Sequence, residues 1–336
     1  GFGGMGAGPS AATKTCLIWN QNAAWSGPYA MGGYLDAKER GVKFIIADPR
    51  VTPTVQALAD IHLQLRPGTD GALALGMMHV IIKENLYDAE FCANWVLGFD
   101  ELKEYVKDFT PEKVEKITWV PAAKIVEAAR LFATNKPSTW VGSASSTTHS
   151  ANAVQNHRAI LSLVAICGCI DVPGGWVQAT HPLNTNDAAF TRSSELLPKL
   201  QEKRADLKAF PVWAQLVDQL QVNLLPEYVK EGKIKAGLLF GVNAIMWPQS
   251  HEYQEALKGM EFTAAVDYFY RPWTHDFVDL LLPAATALER MAPLAVFGRR
   301  IFHRTPVVPP AGEAKEDWQI IFDIGTRLGF KEEFFN

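Results

Sequence analysis

The sequence is poor in the features that mark several classes of protein. It has only four cysteines in 336 residues and no Cys-x-x-Cys pair, so neither a disulfide framework nor a typical zinc or iron–sulfur site is predicted. No apolar run reaches the ~18 residues of a membrane-spanning helix, and the best candidate, residues 159–170, is expected to be a buried helix. The net charge of −4 argues against nucleic acid as a partner.

The beginning of the chain lacks a basic segment followed by an apolar one, so no signal peptide is predicted there. Residues 1–13 are glycine-rich and start without methionine. We expect them to be a lead-in from a longer polypeptide. The compartment, cytoplasmic or periplasmic, therefore stays open.

What the sequence does contain is one pattern that occurs twice. In each copy a hydrophobic strand runs into a turn with an asparagine, Asn22 or Asn243, and a later strand ends in an aspartate, Asp48 or Asp267. The aspartate follows the asparagine by 26 residues in the first copy and by 24 in the second, and a further aspartate comes 12 residues later in both. Two such units predict two similar nucleotide-type sites.

The order of the elements predicts an α/β fold with doubly wound, mostly parallel sheets, because strands alternate with helices of moderate length. In the first copy we expect strands at about 15–19, 43–47, 61–65 and 138–142. The predicted organisation is a lead-in at 1–13, a first α/β domain at 14–178, a helical insertion or linker at 179–232, a second α/β unit at 233–292 and a connection at 293–336. The two Rossmann-like units are expected to be related by a pseudo-twofold axis.

Polar residues stand where the predicted strands end, which is where open α/β sheets bind their ligands. Asp48 and Asp267 can accept hydrogen bonds from a ribose or a purine, and Arg50 offers a cation for a phosphate. The alternative for the acids is a cap of a turn or helix. For the turn at Asn22, and for its repeat at Asn243, the alternative is an asparagine that only tolerates a positive φ.

Asp70 and His149 are further candidates. Asp70 is either part of a helix N-cap with Thr69 or a buried partner for the guanine edge, which presents two adjacent donors. His149 follows a strand end inside a run of hydroxyl residues that is too polar for a core. His157, on an otherwise apolar helix, is expected to be a core histidine.

Several stretches together resemble one known family. They are Asp48-Pro49-Arg50-x-Thr52, Arg66-Pro67-Gly68-Thr69-Asp70-Gly71-Ala72, Pro173-Gly174-Gly175, Asp279 through Ala285, and Pro310-Ala311-Gly312-Glu313-Ala314. With them the chain resembles the central part of the catalytic subunit of the dimethyl sulfoxide reductase family of molybdopterin oxidoreductases. The tail from Pro310 is also similar to the acetylene hydratase and thiosulfate/polysulfide reductase branches. The resemblance covers nearly the whole chain apart from residues 1–13 and 185–230.

The resemblance implies a molybdenum or tungsten ion held by two molybdopterin guanine dinucleotides, one for each α/β unit. By this resemblance one dinucleotide site comprises Asn22, Asp48, Arg50, Gly68 and Asp70, and the other comprises Asn243, Asp267 and Thr274. His149 aligns where many members have a glutamine near the metal, and it is the catalytic candidate. No residue of this chain is expected to ligate the metal. The turns depart from the family's Gly-x-Asn-Pro, since both lack the proline and the first lacks the glycine.

The resemblance also implies parts outside this chain, namely an N-terminal domain with a 4Fe-4S cluster, the metal ligand and a C-terminal pterin-binding domain. The expected function is the core of a bacterial-type oxidoreductase for a two-electron redox or oxo/sulfur transfer reaction in anaerobic respiration, inactive as a fragment. Expected partners are a small-molecule substrate and an iron–sulfur electron-transfer subunit, without nucleic acid or direct membrane insertion.

Three alternatives stay open. The first is a metal-free scaffold like the large subunit of NADH dehydrogenase, against which the presence of both Asp48 and Asp267 argues. The second is a nonredox hydratase that uses the same cofactor. The third is an NAD-dependent dehydrogenase, which is disfavoured because no Gly-x-Gly-x-x-Gly follows a predicted strand.

Overall fold

The chain divides into two compact units, Gly1–Thr180 and His181–Asn336, in a computed structural model of the 336 residues. The structure describes residues 5–6, 8–142, 149–178, 204–216, 220–297 and 300–334. Each unit contains a parallel sheet with helices, so the predicted α/β class is confirmed. The predicted domain boundaries and the pseudo-twofold axis stay predictions.

The elements that the structure describes are as follows. The strands are β1 (Met5–Gly6), β2 (Thr15–Trp19), β3 (Lys43–Ala47), β4 (Ile61–Leu63), β5 (Ser138–Gly142), β6 (Val177–Gln178), β7 (Ala236–Phe240), β8 (Phe262–Asp267), β9 (Leu280–Pro283), β10 (Ala292–Phe297) and β11 (Arg300–Arg304). The helices are α1 (Ala23–Ser26), α2 (Pro28–Glu39), α3 (Pro53–Leu58), α4 (Asp70–Lys83), α5 (Ala89–Trp95), α6 (Phe99–Val106), α7 (Pro111–Thr118), α8 (Ala122–Thr134), α9 (Ala153–Ile166), α10 (Pro211–Leu216), α11 (Leu225–Lys230), α12 (Ser250–Lys258), α13 (Pro272–Phe277), α14 (Asp317–Arg327) and α15 (Lys331–Phe334). Two short 3₁₀ helices lie at Val222–Leu224 and Ala244–Met246.

The first unit is built on a four-stranded parallel sheet in the order β4-β3-β2-β5. The chain therefore winds outward from β2 in both directions, and the strand order reverses between β2 and β5. In such sheets the reversal leaves a crevice at the carboxyl ends of the strands. Trp19 pairs with Ala47, so the residues that follow β2 and β3 lie at the same edge.

Hydrophobic runs explain why β2 and β3 are central. All five residues of β2 are buried, since helices cover both faces of the sheet. Leu17 and Trp19 belong to the larger core, which includes residues of α4, α8 and α9, whereas Cys16 and Ile18 pack on the other face with residues of α2 and α3. The predicted buried helix at 159–170 lies mostly within α9, and Cys167 is fully buried as expected.

The second unit has a three-stranded parallel sheet in the order β7-β8-β9. Over its described residues the chain winds in one direction only. A small core forms where this sheet meets its helices, with Leu257, Ala265, Trp273 and Phe277 among its buried residues. The antiparallel hairpin of β10 and β11 was not foreseen from the sequence. In the described parts of residues 204–232 the structure has helices and no strands, while residues 179–203 and 217–219 lie outside the description.

The internal duplication extends to individual hydrogen bonds. The N–H of Phe44 donates to Asp60 Oδ2 at 2.8 Å, and the N–H of Thr263 donates to Asp279 Oδ2 at 2.7 Å. In return the N–H of each aspartate donates to the carbonyl oxygen of the same strand residue, at 2.9 Å and 2.8 Å. Asp60 and Asp279, the acids at the matched spacing of 12, therefore clamp the start of a strand and have a structural role.

Acid sensitivity is expected from the clamp at Asp60. Burial raises the pKa of this carboxyl, but hydrogen bonds from Lys38, the N–H of Phe44 and Lys43 outweigh burial and place the pKa below its usual value. A lowered pKa in the folded state means that the stabilisation is complete above the unfolded pKa of about 3.9 and is lost as the pH falls through the folded value.

We therefore expect Asp60→Asn to lower the melting temperature at pH 7, with the difference from the parent shrinking at pH values below about 4. Thermal melts of both proteins at several pH values test this. A difference that stayed constant down to pH 2 would show that the charge of Asp60 is not what stabilises the clamp.

Within the described part of the chain, no helix combines the length and the apolar character that a bilayer crossing requires.

Candidate functional site

A cavity of about 250 Å³ lies at the carboxyl ends of β2 and β3. Its lining residues are Asn20, Asp48, Pro49, Arg50, Leu65, Pro67, Gly68, Asp70, His149 and Ser150. Five of the residues singled out from the sequence, namely Asp48, Arg50, Gly68, Asp70 and His149, are thus brought together, although they come from three separate segments. Asn22 is not among the lining residues.

Asp70 is the most buried polar residue of this cavity, with 3% of its surface exposed. Its Oδ1 accepts a hydrogen bond from Trp19 Nε1 at 2.8 Å and another from Asn20 Nδ2 at 2.6 Å. Helix α4 begins at Asp70, and its N-cap residue is Thr69, whose hydroxyl donates to the carbonyl oxygen of Arg66. The N-cap alternative for Asp70 is therefore wrong, because this carboxylate is tied to the sheet rather than to its own helix.

Asp48 directly follows the last residue of β3, and 5% of its surface is exposed. Its Oδ1 accepts the N–H of Arg50 at 2.8 Å, so one oxygen serves as the cap of a turn, as the alternative reading allowed. The guanidinium of Arg50 makes no ion pair with any described carboxylate, and the residue is exposed at the cavity. It is free to meet an anion.

Gly68 and His149 are far apart in the sequence, and both line the same cavity. Gly68 has a φ of 83°, a left-handed conformation that favours glycine, and a Cβ at this position would meet nothing within 4 Å. The protein thus leaves open space beside its backbone. His149 is exposed, and the hydroxyl-rich residues 143–148 before it lie outside the described residues.

The two turns share a backbone conformation that differs from the expected one. The positive φ falls on Asn20 (52°) and Gly241 (56°), two residues before the predicted asparagines. Asn22 and Asn243 have φ values of −99° and −117° and start short helices, so tolerance of a positive φ does not explain them. Each also keeps one buried side-chain amide atom without a partner, Nδ2 of Asn22 and Oδ1 of Asn243.

A second cavity, of about 440 Å³, lies at the carboxyl ends of β7 and β8. Its lining residues are Phe240, Gly241, Val266, Asp267, Tyr268, Arg271, Ala284, Arg290 and Asp317. Of the three residues predicted for this site, only Asp267 lines the cavity. The side chain of Thr274 accepts the N–H of Arg271 at 3.1 Å in a capping box at the start of α13, so its visible role is a helix cap.

Electrostatics at the second cavity are set by two arginine–aspartate pairs. Burial raises the pKa of Asp267, but hydrogen bonds from Arg271 (2.8 Å) and from the N–H of Phe269 (3.1 Å) outweigh it, so the pKa lies below its usual value. Arg290 pairs with Asp317 at 2.8 Å, and its buried Nε has no partner. The sequence reasoning missed both arginines, although Arg271, four residues after Asp267 and before a proline, could have been found as a partner at a helix start.

Metal binding by this chain finds no support among the described residues, which contain no group of three or more His, Cys, Asp or Glu side chains suited to an ion. The four cysteines are all buried and free. Burial raises the pKa of each thiol, for Cys92 to about 11. Since the thiolate is the form that ligates metals, these positions suit packing.

Comparison with known proteins places this geometry in a family. Residues 10–327 match the family model of molybdopterin oxidoreductases. The chain is 33% identical over 326 residues to the F420-dependent formate dehydrogenase subunit alpha of Methanocaldococcus jannaschii, covering 95% of this chain and 48% of that protein. It is also 33% identical over 327 residues to the acetylene hydratase of Syntrophotalea acetylenica, covering 89% of this chain and 44% of that protein.

A solved structure agrees with the sequence matches. The acetylene hydratase from Pelobacter acetylenicus superposes with a TM-score of 0.84 at 28% identity, covering 98% of this chain and 49% of that one. The chain spans about half the length of the curated relatives it matches. The match over nearly the whole sequence, in fold as well as in residues, shows that the chain belongs to the molybdopterin oxidoreductase family.

Proposed function

We propose that this chain is the dinucleotide-binding core of the catalytic subunit of a molybdenum or tungsten oxidoreductase that carries two molybdopterin guanine dinucleotides. The observation that carries the proposal is the cavity at the ends of β2 and β3, which gathers Asp48, Arg50, Gly68 and Asp70. These residues offer a buried acceptor, a cation and open backbone in one place. A guanine dinucleotide has a group that each of these features can meet.

The chemistry of the first cavity fits such a group. The guanine edge carries adjacent N–H donors, and Asp70 supplies a buried carboxylate whose described hydrogen bonds all reach Oδ1. A diphosphate needs positive charge and close approach to the backbone, which Arg50 and Gly68 offer. Asp48 can accept a hydrogen bond from a ribose hydroxyl with Oδ2, because only Oδ1 is bonded in the turn. Asn22 has a buried Nδ2 without a partner, which a ligand acceptor would satisfy.

The second cavity fits a second nucleotide through different residues. Asp267 is the buried acceptor, and the unpaired Nε of Arg290 is a donor suited to a phosphate oxygen. Asn243 lies two residues after the turn at Gly241, and its buried Oδ1 has no hydrogen-bond partner. Thr274 supports this site by capping the helix that begins next to Arg271.

When bound, the metal–pterin group would supply the two-electron redox or oxo/sulfur transfer chemistry. The residues of this chain bind and orient it. We propose His149 as the catalytic candidate, because its imidazole is exposed at the border of the cavity and can hold or pass a proton.

Partners follow from the same proposal. The substrate is a small molecule, and electrons would pass through a 4Fe-4S cluster elsewhere in the full-length protein to an iron–sulfur electron-transfer subunit. The relative from Methanocaldococcus jannaschii is named as a subunit alpha, which agrees with a multi-subunit enzyme. Anaerobic respiration is the proposed setting.

The direct test is metal and nucleotide analysis of the full-length protein that contains this chain. We expect molybdenum or tungsten by mass spectrometry, and two guanine nucleotides per metal ion after acid release. Protein purified from an anaerobic culture supplied with both metals should be used. Metal-free protein, or protein that releases adenine nucleotides, would contradict the proposal and favour the scaffold or NAD-dependent alternatives.

A nonredox hydratase with the same cofactor is the second candidate, favoured by the structural match to acetylene hydratase. Two assays separate the candidates. Reduction or oxidation of an electron-carrier dye with a range of small substrates would support the oxidoreductase, whereas hydration of acetylene without net electron transfer would support the hydratase.

A further inference from the structure

Asn20 is a polar residue of the first cavity that neither its sequence position nor the family comparison assigns to a role. It holds a left-handed backbone conformation, with a φ of 52°, which few residues other than glycine adopt. Its side chain nevertheless makes a short hydrogen bond, from Nδ2 to Asp70 Oδ1 at 2.6 Å. The equivalent residue of the second copy is Gly241, with a φ of 56° and no side chain.

The bond fixes the orientation of the Asp70 carboxylate. Oδ1 receives the N–H of Trp19 as well as that of Asn20, and Trp19 is held in the core with 1% of its surface exposed. Two donors on one oxygen, from adjacent residues of one strand end, restrict rotation of the carboxyl group. The position of Oδ2 is thereby determined.

The orientation of the amide is determined too. A carboxylate oxygen accepts, so the NH₂ end of Asn20 must face Asp70. The other end, Oδ1, is buried without a described partner. Among the described residues, the side-chain amide of Asn20 therefore has one hydrogen-bond partner, which is Asp70.

We infer that Asn20 is a positioning residue, which acts with Trp19 to present Asp70 Oδ2 to the donors of a guanine base. The inference rests on the proposed function. A correctly placed carboxylate can meet both N1–H and the 2-amino group of guanine, while hypoxanthine has only N1–H. The preference for guanine over hypoxanthine at the first cavity therefore depends on Asn20. The equivalent turn residue of the second cavity is Gly241, which has no side chain to donate such a bond.

The test compares GDP with inosine diphosphate by calorimetric titration of the full-length protein freed of cofactor. Asn20→Gly suits the left-handed backbone, so the turn should keep its shape. The measured quantity is the dissociation constant of inosine diphosphate divided by that of GDP. We expect this variant to reduce that ratio by about five- to tenfold at one of the two sites, as for one lost hydrogen bond. Trp19→Phe, which removes the other donor, should act in the same direction.

A matched control is Asn85→Gly. Asn85 also has a positive φ, 56°, but is exposed near the end of α4 and does not line the cavity. This variant should leave the ratio unchanged. Thermal melts of all variants separate loss of preference from loss of folded protein.

A double-mutant cycle tests whether Asn20 acts through Asp70. In an Asp70→Asn background, Asn20→Gly should produce no further change in the ratio. Additive loss in the double variant, or an unchanged ratio in Asn20→Gly alone, would overturn the positioning role. Parent protein that binds neither nucleotide would overturn the proposed function as well, which makes the two failures distinguishable.

Discussion

Asp70→Asn is expected to weaken GDP binding by the full-length protein by about 10- to 100-fold, while the melting temperature changes by only a few degrees. The reason is the hydrogen bonding of the carboxylate. Trp19 and Asn20 both donate to Oδ1, so the oxygen of the new amide must face them. Its NH₂ group then takes the place of Oδ2 and opposes the donors of the guanine base.

The same bonds explain why the substitution should spare the fold. The asparagine oxygen still accepts from the buried indole of Trp19, so no donor is left unpaired in the core. Asp70→Ala is a less selective test, because it would strand the indole N–H at a cost of about 1–3 kcal/mol in stability. Binding and stability would then fall together.

The measurement is GDP affinity and thermal melting of parent and variant side by side, with molybdenum or tungsten content as a second readout. Asp36→Asn is the control, since Asp36 is exposed on α2 and its side chain contacts no described cation. Unchanged GDP affinity with a lowered melting temperature would show that Asp70 only supports the fold around Trp19.

Gly175→Ala is expected to destabilise the first unit by about 3 kcal/mol or more. A Cβ at this position would lie 2.2 Å from the carbonyl oxygen of Cys169 and 2.9 Å from a methyl of Val172. The carbonyl of Cys169 accepts the N–H of Trp176, and Trp176 packs against Trp140 at a ring distance of 5.4 Å. The obstacle is therefore backbone that is already bonded, which cannot move aside as a flexible side chain would.

Gly33→Ala is the matched control with the opposite sign. Gly33 lies inside α2, and a Cβ there would meet nothing within 4 Å, so alanine should raise stability by roughly 0.5–1 kcal/mol through helix propensity. Calorimetric melts of both variants against the parent provide the comparison. Equal melting temperatures for Gly175→Ala and the parent would mean that the chain around Cys169 is far more adaptable than its bonding implies.

Local features of the fold were predictable because they depend on the properties of consecutive residues. Apolar runs predicted strands at about 15–19 and 43–47, and β2 and β3 occupy these residues. The repeated spacing predicted two equivalent strand ends, and the structure repeats even their aspartate clamps. These signals depend on neighbours in the chain, where propensity and periodicity are informative.

Contacts between distant residues were not predictable in the same way. Trp19 and Asp70 are 51 residues apart, and neither segment contains a sequence signal for their hydrogen bond. From the sequence, Asp70 could therefore equally be interpreted as part of a helix N-cap. The assignment of Thr274 to a ligand came from resemblance and stays a prediction, whereas the bond that its hydroxyl accepts from the N–H of Arg271 was not foreseen. The pair Arg290 and Asp317 spans 27 residues and was missed for the same reason. Which charged residues meet at a cavity depends on the packing of several elements at once.

The clamps at Asp60 and Asp279 also limit how the two copies can differ in length. Each aspartate lies 16 residues from the strand residue whose N–H it accepts, in both copies. The spacing from turn to strand end, by contrast, differs by two residues between the copies. An insertion between Phe44 and Asp60 would keep this bond only if the extra residues bulged out of the loops that flank α3, whereas an insertion in the helical connection before β3 leaves both partners of the clamp in place. The two copies thus keep the same number of residues between the donor and the acceptor of the clamp, and their difference in length lies in the helical connections before β3 and β8.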